Sequence, residues 1–317
     1  MSYIKRGVSL GIITVVLGFG FLSAGREAVA DDGSEDSFHF TVTADMRYNH
    51  GPFRKVCRAI NQKSGGPGAF HISAGDIEPV SVARRIIDEE FGADMVWYPV
   101  LGNHELDDAS GSDVEWIKKE FHSLPYIVNS GPVNSEETTY SFDYKNAHFV
   151  VLNEYYDGAS DRGGDGDIVP ELLSWLRDDL DKNTKPAIFV LGHEPAFPLP
   201  DEYWKSIRHY GDSLDKYPEN RDAFWSLLEE KKVAAYICGH THRYSHYQHE
   251  GGEVWQVVAV TFPPPDNTYR YDAWLNITVS GSTIKFEVYR DVDKDGDYMV
   301  YDSWTVSLSD RLACRVL

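Results

Sequence analysis

Cysteine is scarce: Cys57, Cys238 and Cys314 are the only three in the chain. Three are too few for a disulfide scaffold, and their spacing makes no Cys-pair zinc motif. One disulfide is possible and none is required. Basic residues are also short. Thirty Lys and Arg stand against fifty Asp and Glu, a formal charge of −20 over 317 residues. That balance argues against broad binding to a nucleic-acid backbone, which needs clustered cations, and against an anionic membrane surface. Beyond about residue 24 no run is long and apolar enough to cross a bilayer. There is no internal repeat and no long linker. What is there, 42% apolar and 25% charged residues, is the composition of a globular chain with one large domain or two small ones.

The one long apolar run, Gly7 to about Ala24, follows Lys5 and Arg6 and leads to Ala28-Val29-Ala30 and then Asp31-Asp32. A positive start, an apolar middle and a small-x-small end read as a secretory signal peptide at residues 1–30. The alternative is an uncleaved anchor. No Cys follows the run, which argues against a bacterial lipoprotein. The expectation is an exported protein, periplasmic or secreted, with residues 31–317 as one domain.

After a polar lead-in, short apolar runs alternate with amphipathic segments. Strands are expected at 38–44, 69–74, 95–101, 187–191 and 233–238. Helices are expected at 52–62, 80–91, 113–121, 168–180 and 221–231. The segments 140–144 and 147–153 read as a hairpin joined through Lys145-Asn146. Apolar residues at 168, 172, 176 and 180 give the fourth helix one buried face, with Asp167 as its N-cap. From Tyr244 to Ser307 the pattern is mostly β and reads as a meander. One layered α/β domain follows.

Five of the strand runs end alike, in a small residue and then a potential metal ligand. They are Ala44-Asp45, Gly75-Asp76, Gly102-Asn103-His104-Glu105, Gly192-His193 and Gly239-His240-Thr241-His242. Ligands of open α/β sheets gather beyond the carboxyl ends of the strands. Such ends place Asp45, Asp76, Asn103, His193, His240 and His242 around one point. The small residue lets the backbone turn sharply off the sheet. Carboxylate, amide and imidazole without thiolate suit Mn, Fe or Zn and are too nitrogen-rich for Ca. Two such cations about 3.5–4 Å apart clamp a phosphate ester and generate a hydroxide nucleophile.

At these residues the sequence resembles the calcineurin-like metallophosphoesterase superfamily, whose ordered blocks are Asp-x-His, Gly-Asp, Gly-Asn-His-Asp/Glu, Gly-His and Gly-His-x-His. The resemblance covers roughly residues 38–260. It implies a four-layered α/β/β/α sandwich and a metal-dependent phosphoesterase acting on a small phosphorylated substrate. By the same resemblance Asp76 bridges two metals, Asp45 and His242 hold the first, and Asn103, His193 and His240 hold the second. His104 then touches the phosphate or protonates the leaving oxygen, with Glu105 as an orienting partner. A non-catalytic metal- or ligand-binding protein on the same fold is the alternative. No nucleic acid is expected as partner, nor a membrane once the leader is removed; oligomeric state has no reading in the sequence.

The first block departs from that pattern: it is Asp45-Met46-Arg47. Arginine stays protonated and has no acceptor, so it cannot ligate a metal. Nor is there a tyrosine three residues after Asp76, where purple acid phosphatases place one; Pro79 stands there. Three outcomes are open: a weaker first site completed by water, a substitute ligand such as His50 or Tyr48, or a single-metal site. Arg47 itself either grips a phosphate oxygen or pairs with an aspartate.

Weaker signals remain. Residues 291–297, Asp-Val-Asp-Lys-Asp-Gly-Asp, match the start of a calcium loop, with an acidic hairpin turn as the plainer reading. Residues 157–167, rich in Asp and Gly, read as a flexible loop. Trp204, His209, Tyr210 and Tyr217 either line a substrate pocket or are exposed aromatics. His246 and His249 read as strand residues.

Overall fold

The computed structural model describes residues 37–107, 110–200, 205, 207–259 and 272–308. The expected leader, Trp204 and Cys314 lie outside the described residues. Cys57 and Cys238 are buried free thiols. No described helix is long and apolar enough to cross a membrane.

The strands are Phe38–Thr43 (β1), His71–Ala74 (β2), Trp97–Val100 (β3), Ile127–Ser130 (β4), Tyr140–Tyr144 (β5), Ala147–Val151 (β6), Ala187–Leu191 (β7), Ala235–Cys238 (β8), Ser245–Gln248 (β9), Trp255–Val258 (β10), Ala273–Ser280 (β11), Thr283–Arg290 (β12) and Met299–Ser307 (β13). The helices are His50–Gln62 (α1), Val80–Phe91 (α2), Asn103–Asp107 (α3), Ser112–Phe121 (α4), Pro170–Lys182 (α5) and Pro218–Glu230 (α6).

Two sheets form. One runs β13-β12-β11-β1-β2-β3, the other β4-β5-β6-β7-β8-β10-β9. In the first sheet β1, β2 and β3 are parallel. In the second, β6, β7, β8 and β10 are parallel. The central parallel strands are buried on both faces, so they read as continuous apolar runs, such as Ala-Ile-Phe-Val-Leu in β7. The antiparallel pair β11–β12 alternates buried with half-buried or exposed residues instead along most of its length.

Three apolar layers hold the sheets and helices together. Between the sheets lie Phe40, Phe70 and Tyr98 from one side and Phe142, Phe149 and Phe189 from the other. Tyr98 stacks on Phe142 at 3.8 Å between ring centroids, and Phe142 on Phe149 at 4.7 Å. Each such pair adds about 1 kcal/mol beyond its area burial. Leu172, Leu176, Phe224 and Leu227 seat α5 and α6 on the outer face of the second sheet. Phe53, Ile60, Ile86 and Ile117 seat α1, α2 and α4 on the first. The order is helix, sheet, sheet, helix, which is the four-layered α/β/β/α sandwich.

Several local expectations change. The β-rich end is not one meander, because β9 and β10 join the second sheet while β11 to β13 extend the first. Asp167 does not cap α5. The helix starts at Pro170 after Val169 with no side-chain cap, and the Asp167 carboxylate accepts from Asn220 Nδ2 instead. Residues 291–297 form the β12–β13 connection, where the Asp291 carboxylate accepts the amides of Asp295 and Gly296. That is a self-capped hairpin turn. The 157–167 loop is pinned rather than loose. Asp157 accepts two of the loop's own amides, and Asp165 holds Lys216 and Tyr217.

One buried polar group ties α5 to the sheet. His148 of β6 donates from Nδ1 to Asp143 at 2.7 Å and from Nε2 to Asp179 at 2.9 Å. Two donors require the imidazolium form. Burial opposes that charge, but the bonds to Asp179 and Asp143 outweigh it and hold the His148 pKa above its ordinary value. Asp179 is correspondingly held below the usual carboxylate value, against its own burial. The stabilisation is complete below the unfolded histidine value of about 6.5 and fades as pH rises through the raised folded value. It also fades in acid as Asp179 protonates. Replacing His148 by Gln takes the facing cation from Asp179, which keeps its neutral donors Asn129 and Ser141, and is expected to cost about 2 kcal/mol near pH 6. Urea melts of His148→Gln against wild type should show that gap narrowing at alkaline pH; a gap that does not depend on pH would contradict this account.

Candidate metal centre

The carboxyl ends of β1, β2, β3, β7 and β8 meet at one edge of the sandwich, and buried carboxylates tie them there. Glu105 in α3 accepts backbone amides from Asp76, Ile77, Glu78 and Gly102 at 2.7–3.1 Å. It thereby binds the turn after β2 to the turn after β3. Burial, then the charge of Asp76, pushes its carboxyl up to about 8, with the amides opposing. In the other sheet Glu154 accepts the amides of His193 and Glu194 at 2.9 and 2.7 Å, and the hydroxyl of Tyr236. Across the sheets, Asp45 Oδ1 accepts the His240 amide at 2.9 Å.

The small residues before the ligands matter mainly for close approach. A Cβ at Gly102 would lie 2.5 Å from Asp76 Oδ1 and 2.4 Å from its amide nitrogen. At Gly75 it would lie 2.1 Å from His193 Nδ1, and that glycine also has φ +84°. Asp45, Asp76, His240 and His242 themselves sit at φ between 52° and 67°, a left-handed region costly for non-glycine residues.

Ligand atoms of Asp45, Asp76 and His242 lie within 4.8 Å of one another. His193 Nε2 is 3.2 Å from Asp76 Oδ1, and the His193 and His240 ring centroids are 5.1 Å apart. Asn103 sits beside them, since the next residue's amide donates to Asp76 Oδ1. All six expected ligands thus gather at one place. Three of their buried atoms have no hydrogen-bond partner: Asp45 Oδ2, Asn103 Oδ1 and His193 Nε2. A buried polar atom without a partner costs free energy, and all three are lone-pair donors suited to a transition metal. The residues therefore fit a metal group.

Their other atoms set the tautomers. His193 Nδ1 faces the Ala74 carbonyl at 2.8 Å and must be the protonated nitrogen, which leaves Nε2 as donor. His240 Nε2 likewise faces the Asp212 carbonyl at 2.9 Å, which leaves Nδ1. Fixing one ring nitrogen so that the other can ligate is the usual support of a metal-binding histidine. Burial, then the charge of Arg208, lowers the His242 pKa to about 3. Burial pushes the Asp45 carboxyl up to about 7 against the charge of His193. Asp76 is held well below the usual carboxylate range by His193 despite its burial, and His193 is raised in return despite its own.

Arg47 turns towards glutamate, not aspartate. Its Nε pairs with Glu78 at 2.8 Å, and its Nη1 lies 2.9 Å from His104 Nε2. Tyr48, one of the substitute ligands considered, donates its hydroxyl to Glu78 at 2.5 Å. Glu105 does not orient His104, because its oxygens are taken by the four amides. Asp107 Oδ2, 2.7 Å from His104 Nδ1, does so instead.

Sequence reasoning missed two groups. Glu154 and Glu194, on the turns after β6 and β7, are buried; Tyr155 donates to Glu194, and burial, then the charge of Glu154, pushes the Glu194 carboxyl up to about 8. Ionisable residues next to apolar strand ends were the available signal. The second group is Arg208 and Asp212, which return to the centre from the segment after β7 on either side of His209, the residue the sequence had offered as a pocket-lining candidate. The His209 ring lies 4.1 Å from that of His240.

Residues 38–244 match the family model described as calcineurin-like phosphoesterase. The chain is 23% identical over 196 residues to a probable cyclic nucleotide phosphodiesterase of Psychrobacter arcticus, an alignment covering 57% of this chain and 62% of that protein. It is 26% identical over 196 residues to purple acid phosphatase 17 of Arabidopsis thaliana, covering 56% of this chain and 54% of that one. The chain thus spans somewhat over half the length of both relatives. The solved structure of PhoD matches 86% of this chain and 70% of its own at 15% identity, with a TM-score of 0.56, a likeness of fold. By the span of the family model, the chain belongs to the calcineurin-like phosphoesterase family.

Proposed function

We propose that this chain is an exported, metal-dependent phosphoesterase that hydrolyses a small phosphate ester. One observation carries the reading: unpartnered buried donor atoms of Asp45, Asn103 and His193 converge where the family's motif order expects metal ligands. Asp45, Asp76 and His242 would hold a first metal, and Asp76, Asn103, His193 and His240 a second. The chain would offer the first position three donors, with Arg47 in place of the family's histidine. Mn, Fe or Zn suits the donor set. Metal ions here supply Lewis-acid polarisation of the phosphoryl group and lower the pKa of water. The lysine–arginine start, apolar run and Ala28-Val29-Ala30 end support export.

The chain's own groups complete the chemistry. Asp107 fixes the His104 ring through Nδ1; once Arg47 Nη1 turns from Nε2 to the phosphoryl group, Nε2 takes up a proton from solvent and passes it to the leaving oxygen. Arg47, held by Glu78, presents its guanidinium beside that nitrogen and grips a phosphoryl oxygen.

Purified protein with Mn²⁺ or Zn²⁺ is expected to turn over at least one of a panel of phosphate monoesters, diesters and anhydrides. Asp76→Asn is expected to lower kcat/KM about a thousandfold, equivalent to about 4 kcal/mol. Stoichiometric metal binding without turnover of any ester would favour a binding protein instead. Glu105→Gln keeps the shape but turns an amide NH₂ towards backbone donors. Metal affinity should fall roughly ten- to a hundredfold, as for other groups that support ligands. Equal metal affinity by calorimetry would remove that role. N-terminal sequencing of exported protein should begin at Asp31.

A further inference from the structure

The segment after β7 brings a second guanidinium to the centre. Arg208 is half-buried, and its Nη2 lies 3.4 Å from His209 Nε2. The His209 ring in turn lies 4.1 Å from His240 and 6.4 Å from His242, centroid to centroid. The backbone is anchored at the same place, because the Asp212 carbonyl accepts from His240 Nε2. The positive charge of Arg208 reaches Asp45 and His242, where it favours the carboxylate and the neutral imidazole. Arg47 stands against His104 and Glu78. Two permanently charged forks thus stand near the donor cage, one following β1 in the first sheet and one following β7 in the second.

We propose that Arg208 is a second anion-binding residue of this centre and that, with Arg47, it selects dianionic phosphoryl groups, hence phosphate monoesters over diesters. This rests on the phosphoesterase reading and narrows its substrate class. A monoester carries close to two negative charges at neutral pH and three unesterified oxygens. A diester carries one charge and two such oxygens. Oxygens drawn to the cations leave the monoester one more for a guanidinium, whose planar fork suits it. In a diester that position holds an alkyl or aryl ester group, which would strip water from the guanidinium and return no hydrogen bond.

The test compares wild type, Arg208→Gln and Arg208→Lys, each loaded with Mn²⁺ and checked for equal metal content. p-Nitrophenyl phosphate and bis(p-nitrophenyl) phosphate share a leaving group and separate the ester classes. Wild type should prefer the monoester. Arg208→Gln should raise KM for the monoester roughly ten- to a hundredfold, with kcat less affected, and leave the diester within about twofold. Arg208→Lys should recover part of the loss. Calorimetry with inorganic phosphate and with dimethyl phosphate reads the same preference without turnover, and Arg208→Gln should weaken only the first. If wild type hydrolyses no ester, the phosphoesterase reading fails, and the two calorimetric titrations still decide the anion site. Unchanged phosphate affinity in Arg208→Gln, equal losses on both ester classes, or a fall in metal content would overturn the proposal.

Discussion

A carboxylate cut off from water has to be given donors, and the way Glu105 is supplied organises this edge of the sandwich. It takes four backbone amides from two different turns. Breaking one of them strands a buried polar group at about 1–3 kcal/mol, so the turns after β2 and β3 cannot drift apart cheaply. Asp76 and Asn103 ride on those turns. Glu154 repeats the device in the other sheet under His193, and Asp45 joins the two sheets through the His240 amide. The aromatic seam between the sheets fixes their spacing, while these carboxylates fix where the ligands stand within it.

The same edge carries backbone conformations that ordinary residues avoid. Asp45, Asp76, His240 and His242 are left-handed, at about 1–3 kcal/mol each. The strain persists because each strained residue follows a strand buried on both faces, and the chain cannot relax without opening that packing. It also explains why ligands arrive with lone pairs aimed inwards and unsatisfied. A site relaxed to its own comfort would have paired Asp45 Oδ2, Asn103 Oδ1 and His193 Nε2 internally. The scaffold withholds partners from them, which is the preorganisation that ion binding needs.

Much of this was legible in the sequence, for definite reasons. Parallel strands buried on both faces must be apolar throughout, so β7 and β8 announce themselves, and the residue after each run has to sit at the sheet edge. The order of Asp45, Asp76, Asn103, His193 and His240 could therefore be read before any coordinates. Pairing was less legible. Short strands such as β9 and β10 carry no mark of which sheet they join. The competition for Asp167 between the α5 amides and Asn220 is decided by a residue fifty positions away. Glu105 was misassigned because sequence adjacency to His104 suggested a partner, whereas α3 turns the two side chains apart. Arg208 escaped notice because it lies in irregular chain with no periodicity, and only the contacts of His209 and Asp212 with His240 reveal its place.

Charge poses an apparent conflict that distance resolves. The chain as a whole is strongly negative, yet its centre presents Arg47 and Arg208 beside the donor cage. Surface charges are screened over about 8 Å at physiological salt. A small phosphate ester at the centre therefore feels the guanidiniums and any bound cations more strongly than the distant carboxylates. A long polyanion spans many screening lengths and meets the acidic surface along most of its contour, where no cluster of cations releases its counterions. Net charge and local charge thus act on different sizes of ligand. On the proposed function, the arrangement would favour a compact anion over an extended one without any contact made for that purpose.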